Sequence, residues 1–326
     1  MKLKKVLSAI TALALVSCSA LSMSGCGESN DGKYTVGICQ LTQHVALDSA
    51  TEGFKDALTE KLGEENITFD YKNASGEDTN CTTIVNQFVS NKVDLIMANA
   101  TPALQAAHAA TDAIPIVATS ITDYATALDM DSWSGKTGIN VTGSCDLAPL
   151  EQQAAMLKEL LPDAKSVGIL YCSGEANSKY QATEITKAFT DLGLTVTEFT
   201  FADSNDIASV VTNACDRVDV IYIPTDNTAA DCTETINSIA EPAKIPIIAG
   251  ESGICTGCGI ATLSIDYYDL GYKAGEMAYE ILVNGTDPAE MEIEYSEELT
   301  KQYMADRCTA LGVTVPDTYT AIEVAE

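Results

Sequence analysis

Val93-Asp94-Leu95-Ile96-Met97, followed by Asn99-Ala100-Thr101-Pro102-Ala103, is the stretch on which the fold turns. The first five residues read as a short, mostly apolar strand. Thr101-Pro102 then opens a helix over residues 102–112, because threonine is a good N-cap and proline suits the first helical position. The same alternation extends outward. Residues 34–38 read as a strand, 47–62 as an amphipathic helix and 68–71 as a strand; 82–91 is a helix with Ile84, Val85, Phe88 and Val89 at helical spacing. Residues 114–119 form the fourth strand. Short β-rich runs separated by amphipathic helices imply a parallel sheet covered on both faces. The pattern then restarts. Helices at 151–161, 178–192, 206–214 and 229–240 alternate with strands at 166–171, 195–201, 218–223 and 245–249. Residues 138–143 look like a crossing strand, and a last helix (270–283) and the segment 292–313 supply further crossings. The expected fold is α/β, with two doubly wound parallel-sheet lobes joined by hinge crossings. The first lobe takes residues 34–142 plus about 267–290, and the second 143–266 plus about 291–320. A ligand cleft between them is expected at the carboxyl ends of the strands.

The N-terminus carries an export pattern. Lys2, Lys4 and Lys5 precede an apolar run over 6–16, too short to span a bilayer, which needs about 20 apolar residues. Leu21-Ser22-Met23-Ser24-Gly25-Cys26 resembles a bacterial lipobox, in which the cysteine is lipidated and becomes the new N-terminus. The alternative is an ordinary cleavage site beside an incidental cysteine. Residues 1–25 are then the lipoprotein signal peptide and 26–33 a polar, lipidated tether, so the protein is extracytoplasmic and anchored to the membrane rather than embedded in it.

Loss of the three signal lysines, with no acid before Cys26, takes the formal charge from −29 to −32. So acidic a surface repels nucleic acid and anionic headgroups. Of eleven cysteines, Cys18 leaves with the signal and Cys26 takes lipid; the remaining nine cannot all pair internally. Most are expected to be small buried hydrophobes. Cys255-Thr256-Gly257-Cys258, read as a loop before a strand, is a local disulfide or loop thiols, a packing pair, or, as the least favoured reading, a metal or redox site; no second ligand pair stands at zinc-site spacing. His44 and His108 are far apart, and neither metal nor cofactor is expected. Gly-x-Ser-x-Gly, the P-loop, His-Glu-x-x-His and a Gly-x-Gly-x-x-Gly after the first strand are all missing, which argues against an enzyme.

Several loops carry a family resemblance. They include Gln43-His44-Val45-Ala46-Leu47-Asp48, Asn99-Ala100-Thr101-Pro102-Ala103, Thr119-Ser120-Ile121-Thr122-Asp123, Asn140-Val141-Thr142-Gly143 and Gly174-Glu175-Ala176-Asn177-Ser178. Pro224-Thr225-Asp226-Asn227-Thr228 and Asp266-Tyr267-Tyr268-Asp269-Leu270-Gly271 complete the series. In this order the chain resembles type I periplasmic-binding proteins of ABC importers, in the branch that often takes aromatic amino acids. Val45 and Tyr124 stand where that family often has proline. The resemblance implies a small-molecule ligand, an amino acid first among candidates, and an ABC permease as partner. A sensor subunit, or a sugar or nucleoside binder, is the alternative.

A zwitterion needs amides and hydroxyls for its carboxylate and an acid for its amine. Thr101, Ser120, Thr122 and Asn177 suit the first task, and Asp226 or Asp123 the second; Asp226 alternatively caps the helix that follows it. Ser178 opens a helix on the second lobe. With Gln43, His44 and Asn227 these make up the candidate ligand set. Tyr124, Tyr171 and Tyr180 lie near cleft loops, and Trp133, the sole tryptophan, lies near the lobe junction. Cys26→Ala is expected to leave a folded binder that no longer stays with washed membranes; retention of the variant in the membrane fraction would overturn the lipobox reading.

Overall fold

The computed structural model describes residues 33–296 and 298–323. The expected signal segment, Cys26 and the tether up to residue 32 lie outside the described residues. The first lobe begins with β1 (Tyr34–Gln40), α1 (Val45–Leu62), β2 (Ile67–Asn73), α2 (Asp78–Asn91), β3 (Leu95–Asn99), α3 (Thr101–Ala110), β4 (Ile116–Ile121), α4 (Tyr124–Ala127) and β5 (Val141–Cys145). The second lobe continues with α5 (Leu150–Leu160), β6 (Ser166–Cys172), α6 (Ala176–Asp191), β7 (Thr195–Phe201), α7 (Ile207–Cys215), β8 (Val220–Ile223), α8 (Asn227–Asp231), α9 (Thr233–Ala243), β9 (Ile247–Ala249), α10 (Ser252–Cys258) and β10 (Ala261–Ser264). The chain closes with α11 (Tyr267–Asn284), β11 (Glu294–Tyr295), β12 (Thr300–Tyr303), α12 (Ala305–Leu311) and β13 (Thr320–Ala321).

The first sheet has the order β11-β5-β4-β3-β1-β2 and is parallel throughout. The second has the order β13-β12-β10-β9-β8-β6-β7 and is parallel except where β12 runs against β10. Strands β3 and β4 are buried along their whole length, as expected of strands with helices on both faces. The expected lobe boundaries shift accordingly. Residues 143–145 belong to the first sheet, because β5 pairs with β4 up to Cys145; Glu294 and Tyr295 join it by pairing with Ser144 and Cys145. Residues 138–143 therefore feed a sheet strand, and the first crossing follows Cys145.

Two local differences from the sequence reading have clear causes. The helix expected over 229–240 is two helices, α8 and α9, broken at Cys232. Cys255 and Cys258 sit on α10 rather than in a loop. Two glycines make that segment a poor helix former. Its ends are held from outside: the Glu251 carboxylate accepts from the amides of Gly253 and Ile254, and the Arg307 guanidinium donates to the carbonyls of Cys255, Thr256, Gly257 and Gly259. All nine described cysteines are free thiols, and Cys255 and Cys258 are buried in the apolar core.

Helices α1 and α11 lie backbone to backbone. A Cβ at Gly53 would stand 2.1 Å from the Tyr268 carbonyl oxygen, and one at Gly271 would stand 1.9 Å from that of Ala50. Only glycine allows the two backbones to lie so near. Beside them Tyr124 is buried in the first-lobe core, its hydroxyl donating to the carbonyls of Ala118 and Ser144 at 3.1 and 3.2 Å, with Trp133 stacked on its ring. Tyr124 is therefore a packing residue, not a cleft residue. Helix propensity alone makes Gly271→Ala stabilising by roughly 0.5–1 kcal/mol, whereas backbone overlap makes it destabilising by about 1–3 kcal/mol or more. We expect a loss, read from the urea midpoint; a raised midpoint would show that the contact yields.

Candidate functional site

The carboxyl ends of both sheets meet around a small cavity. The first lobe and the crossings bring His44, Leu47, Ser120, Thr122, Asp146 and Tyr267 to it; the second brings Asn177, Thr225, Asp226, Asn227, Ala230 and Glu251. About 20 Å³ remains free, room for about one water. Direct contacts between the lobes take up the rest. The Thr42 hydroxyl donates to Asp231 at 2.6 Å, His44 Nε2 lies 3.2 Å from Asn227 Oδ1, and Gln181 Nε2 donates to Thr122 Oγ1 at 3.4 Å. A ligand of amino-acid size enters only when the lobes part.

Three polar atoms on residues that line this cavity have no partner: His44 Nδ1, the Ser120 hydroxyl and Asn177 Oδ1, the last two on residues each 6% exposed and from opposite lobes. Leaving such a group buried and unbonded costs about 1–3 kcal/mol. Ser120 also has φ +57, the left-handed region that a non-glycine residue adopts only where its surroundings impose it. The strand register shifts between Ala118 and Ile121, so Ser120 lies within the irregular end of β4.

The acids divide by what already holds them. Asp226 caps α8, with Oδ1 accepting from the Ala229 amide at 2.7 Å and Oδ2 from that of Cys172 at 2.6 Å. Burial, and then the charge of Glu175, push its pKa well above the usual carboxylate range. Both oxygens are thus committed to backbone. Glu175 is held by the amide and side-chain donors of Asn227 and Thr228 and by Asn177 Nδ2. Asp146 differs. It stands just after β5, on the first crossing, held mainly by two side-chain hydroxyls. Oδ1 accepts from the Thr122 hydroxyl at 3.1 Å and Oδ2 from that of Tyr267 at 3.0 Å. Burial pushes it up to about 6, against the lowering effect of those two bonds. Burial also raises Glu251, opposed by His44 and by the two amides it caps.

Of the sequence candidates, His44, Ser120, Thr122, Asn177, Asp226 and Asn227 meet at the cavity. Gln43 is exposed at its rim loop. Thr101 is buried elsewhere. The chain turns left-handed at Ala100 (φ +86), which takes the cap position without a side-chain bond and makes Thr101 the first helical residue. Asp123 caps α4, accepting from the Thr126 amide at 2.7 Å. Ser178 is buried inside α6, which Glu175 precedes as N-cap, and its hydroxyl supports Asp226. Asp146, Tyr267, Glu251, Leu47 and Thr225 are cavity residues that the sequence reading missed. Asp146 lies on a crossing that has no periodicity of its own, and only the joining of two crossings brings it to Tyr267. Among the described residues no group of three or more His, Cys, Asp or Glu side chains is placed to hold a metal ion.

The sequence matches the family described as ABC transporter substrate binding protein over residues 35–322, nearly all of the described structure. The chain belongs to that family. These are transporter binding proteins rather than enzymes, and extracytoplasmic. This member is 36% identical over 296 residues to a tyrosine-binding protein of Clostridioides difficile (strain R20291), covering 86% of this chain and 85% of that one. It superposes with a TM-score of 0.85, at 32% identity over 89% of this chain and 100% of the other, on an ABC domain from Streptococcus pneumonia in complex with L-Trp. Against the ligand-free, open structure of a Clostridium difficile substrate binding protein the TM-score is 0.69, although identity is 35% over 90% of this chain and 100% of that one. Better agreement with the complex at lower identity fits the cross-lobe bonds: the lobes here are closed.

Removing the Asp226 cap by Asp226→Ala is expected to lower unfolding stability by about 1–2 kcal/mol; Asp226→Asn recovers only part of this, because its single amide oxygen can accept from the Ala229 amide while its NH2 group faces the Cys172 amide. Denaturant unfolding of both variants checks the order. A loss for asparagine as large as that for alanine would mean that the bond to the Cys172 amide, not the cap, holds this corner.

Proposed function

We propose that this protein captures a free aromatic amino acid, tyrosine or tryptophan, outside the cytoplasm and hands it to an ABC permease, with Cys26 as its lipid anchor. The carrying observation is the pair of unpartnered, buried polar atoms, Ser120 Oγ and Asn177 Oδ1, one on each lobe of the closed cleft. A ligand that bonds to both ties the lobes together, which is the requirement for capture by closure. The tyrosine-binding relative and the L-Trp complex support the ligand class.

The cleft offers a place for each end of a zwitterion. Helix α1 has 18 residues, no side-chain cap, and His44 and Leu47 at the cavity wall. The first amides of a helix lack intrahelical partners and carry its positive dipole end, so they suit a carboxylate, with the Ser120 hydroxyl as a further donor. Of the other helices that start at the cavity, α8 is capped by Asp226, α10 by Glu251 and α11 by Asp266, while α6 has the acid Glu175 at its N-cap position, its carboxylate bound to Asn177, Asn227 and Thr228. The ammonium goes to Asp146, which needs a counter-charge in its buried position, and to Asn177 Oδ1. This assignment replaces Asp226, whose oxygens are taken. Leu47, Ala230 and the ring of Tyr267 give the apolar wall for a side chain.

The pH dependence has a definite sign. Asp146 binds an ammonium only when ionised, and its pKa in the ligand-free protein is raised to about 6. Affinity for L-tyrosine is therefore level above pH 7 and falls as pH drops through 6, by about ten-fold at pH 5, where a proton must first leave. Asp146→Asn is expected to weaken binding roughly 30-fold to several-thousand-fold and to flatten this profile. Calorimetric titration with L-tyrosine and L-tryptophan tests both. Unchanged affinity in the folded variant would remove Asp146 from the site.

A further inference from the structure

A buried polar network lies directly behind the N-terminus of α1; its three side chains, Gln40, Thr51 and Asn99, do not line the cavity. Gln40 ends β1 and Asn99 ends β3, both fully buried, and Thr51 in the second turn of α1 is nearly so. Asn99 Nδ2 donates to the Leu47 carbonyl at 2.8 Å and to the Thr51 hydroxyl at 2.9 Å. That hydroxyl donates to Gln40 Oε1 at 2.7 Å. Gln40 Nε2 in turn donates to Asp48 Oδ1 at 2.6 Å and to the Thr42 carbonyl at 2.7 Å. The five bonds grip the first two turns of the helix and the loop before it from two neighbouring strands.

The network does more than fill space. A hydrocarbon core would seat α1 equally well without the cost of burying three polar side chains. These bonds are directional, so they fix both the rotation and the axial position of the first turn. They also act on charge. Asp48 stands in the first turn of α1, where a carboxylate competes with any anion drawn to the helix end. The Gln40 amide binds its oxygen and draws off part of that negative potential.

We propose that Gln40, Thr51 and Asn99 are positioning residues that aim the free amides of α1 at the ligand carboxylate. This rests on the carboxylate assignment above, and the test separates the two. Thr51→Val keeps the shape and breaks the two hydroxyl bonds; Thr51→Ser keeps them. Titrations use the full folded protein with L-tyrosine and with tyramine, which has the same ring and ammonium but no carboxylate. In the parent, tyramine binds more weakly than tyrosine. Thr51→Val is expected to lose about ten-fold in tyrosine affinity, the size of one misaligned hydrogen bond to a charged group, with tyramine affinity unchanged within two-fold and Thr51→Ser restoring the parent value. If the valine variant does not fold, Gln40→Met, which removes the amide at similar volume, serves for the same comparison. Equal losses for both ligands, or no loss for tyrosine, would overturn the positioning role alone. A parent that binds tyramine as tightly as tyrosine would overturn the carboxylate assignment and the positioning role with it.

Discussion

The packing of α1 on α11 is the contact on which the cleft depends. Gly53 and Gly271 let the two backbones meet at a distance that no side chain permits. Each helix begins at the cavity: α1 with His44 as N-cap, and α11 with Tyr267, whose hydroxyl holds Asp146. A shift of one helix against the other thus displaces the uncapped helix end and the acid of the crossing together. Since interiors are close-packed, such a shift is not absorbed locally but carried along the pair. The spacing between the two ends of a bound zwitterion is set by this contact.

The cleft is costly in the absence of ligand, and that cost has a mechanical meaning. Ser120 is held in a left-handed conformation with an unbonded hydroxyl, Asn177 has an unbonded oxygen, and burial raises both Asp146 and Glu251. Against this the closed form gains a few cross-lobe bonds, among them Thr42 to Asp231 and His44 to Asn227. A ligand shifts the balance between open and closed only by its differential affinity for the two. Groups that are unsatisfied on closure and satisfied by the ligand supply that difference, while bonds already complete, such as those of Asp226 and Glu175, supply none.

The sheet pattern was legible in the sequence because apolar β-rich runs and amphipathic helices alternate with little interruption from residue 34 to residue 249. The strand-end loops were legible for the same reason, and six of the ten candidate ligand residues come together at the cavity. What escaped lies where neighbours distant in sequence decide the structure. Helix α10 exists through Glu251 and Arg307, one at each end, and nothing in Cys-Thr-Gly-Cys announces it. Asp146 stands on a crossing without periodicity, and its raised pKa comes from burial that only the assembled lobes provide. Asp226 was recognisable as an acid at a strand end, but capping was separable from ligand binding only by finding both oxygens bonded to backbone.

The return of the chain to the first lobe determines when that lobe can form. Helix α11 and strand β11, residues 267–295, complete a layer and a sheet that residues 34–145 began, while the whole of β6 through β10 is made in between. A growing chain that has emitted its first lobe's strands still lacks the helix against which α1 must close. Folding cannot proceed lobe by lobe from the N-terminus, as it does in chains whose domains are contiguous. Contacts across more than two hundred residues must be made late, and such long-range closure is slow. The order of its elements thus keeps the first lobe loose until nearly all of the chain has been made.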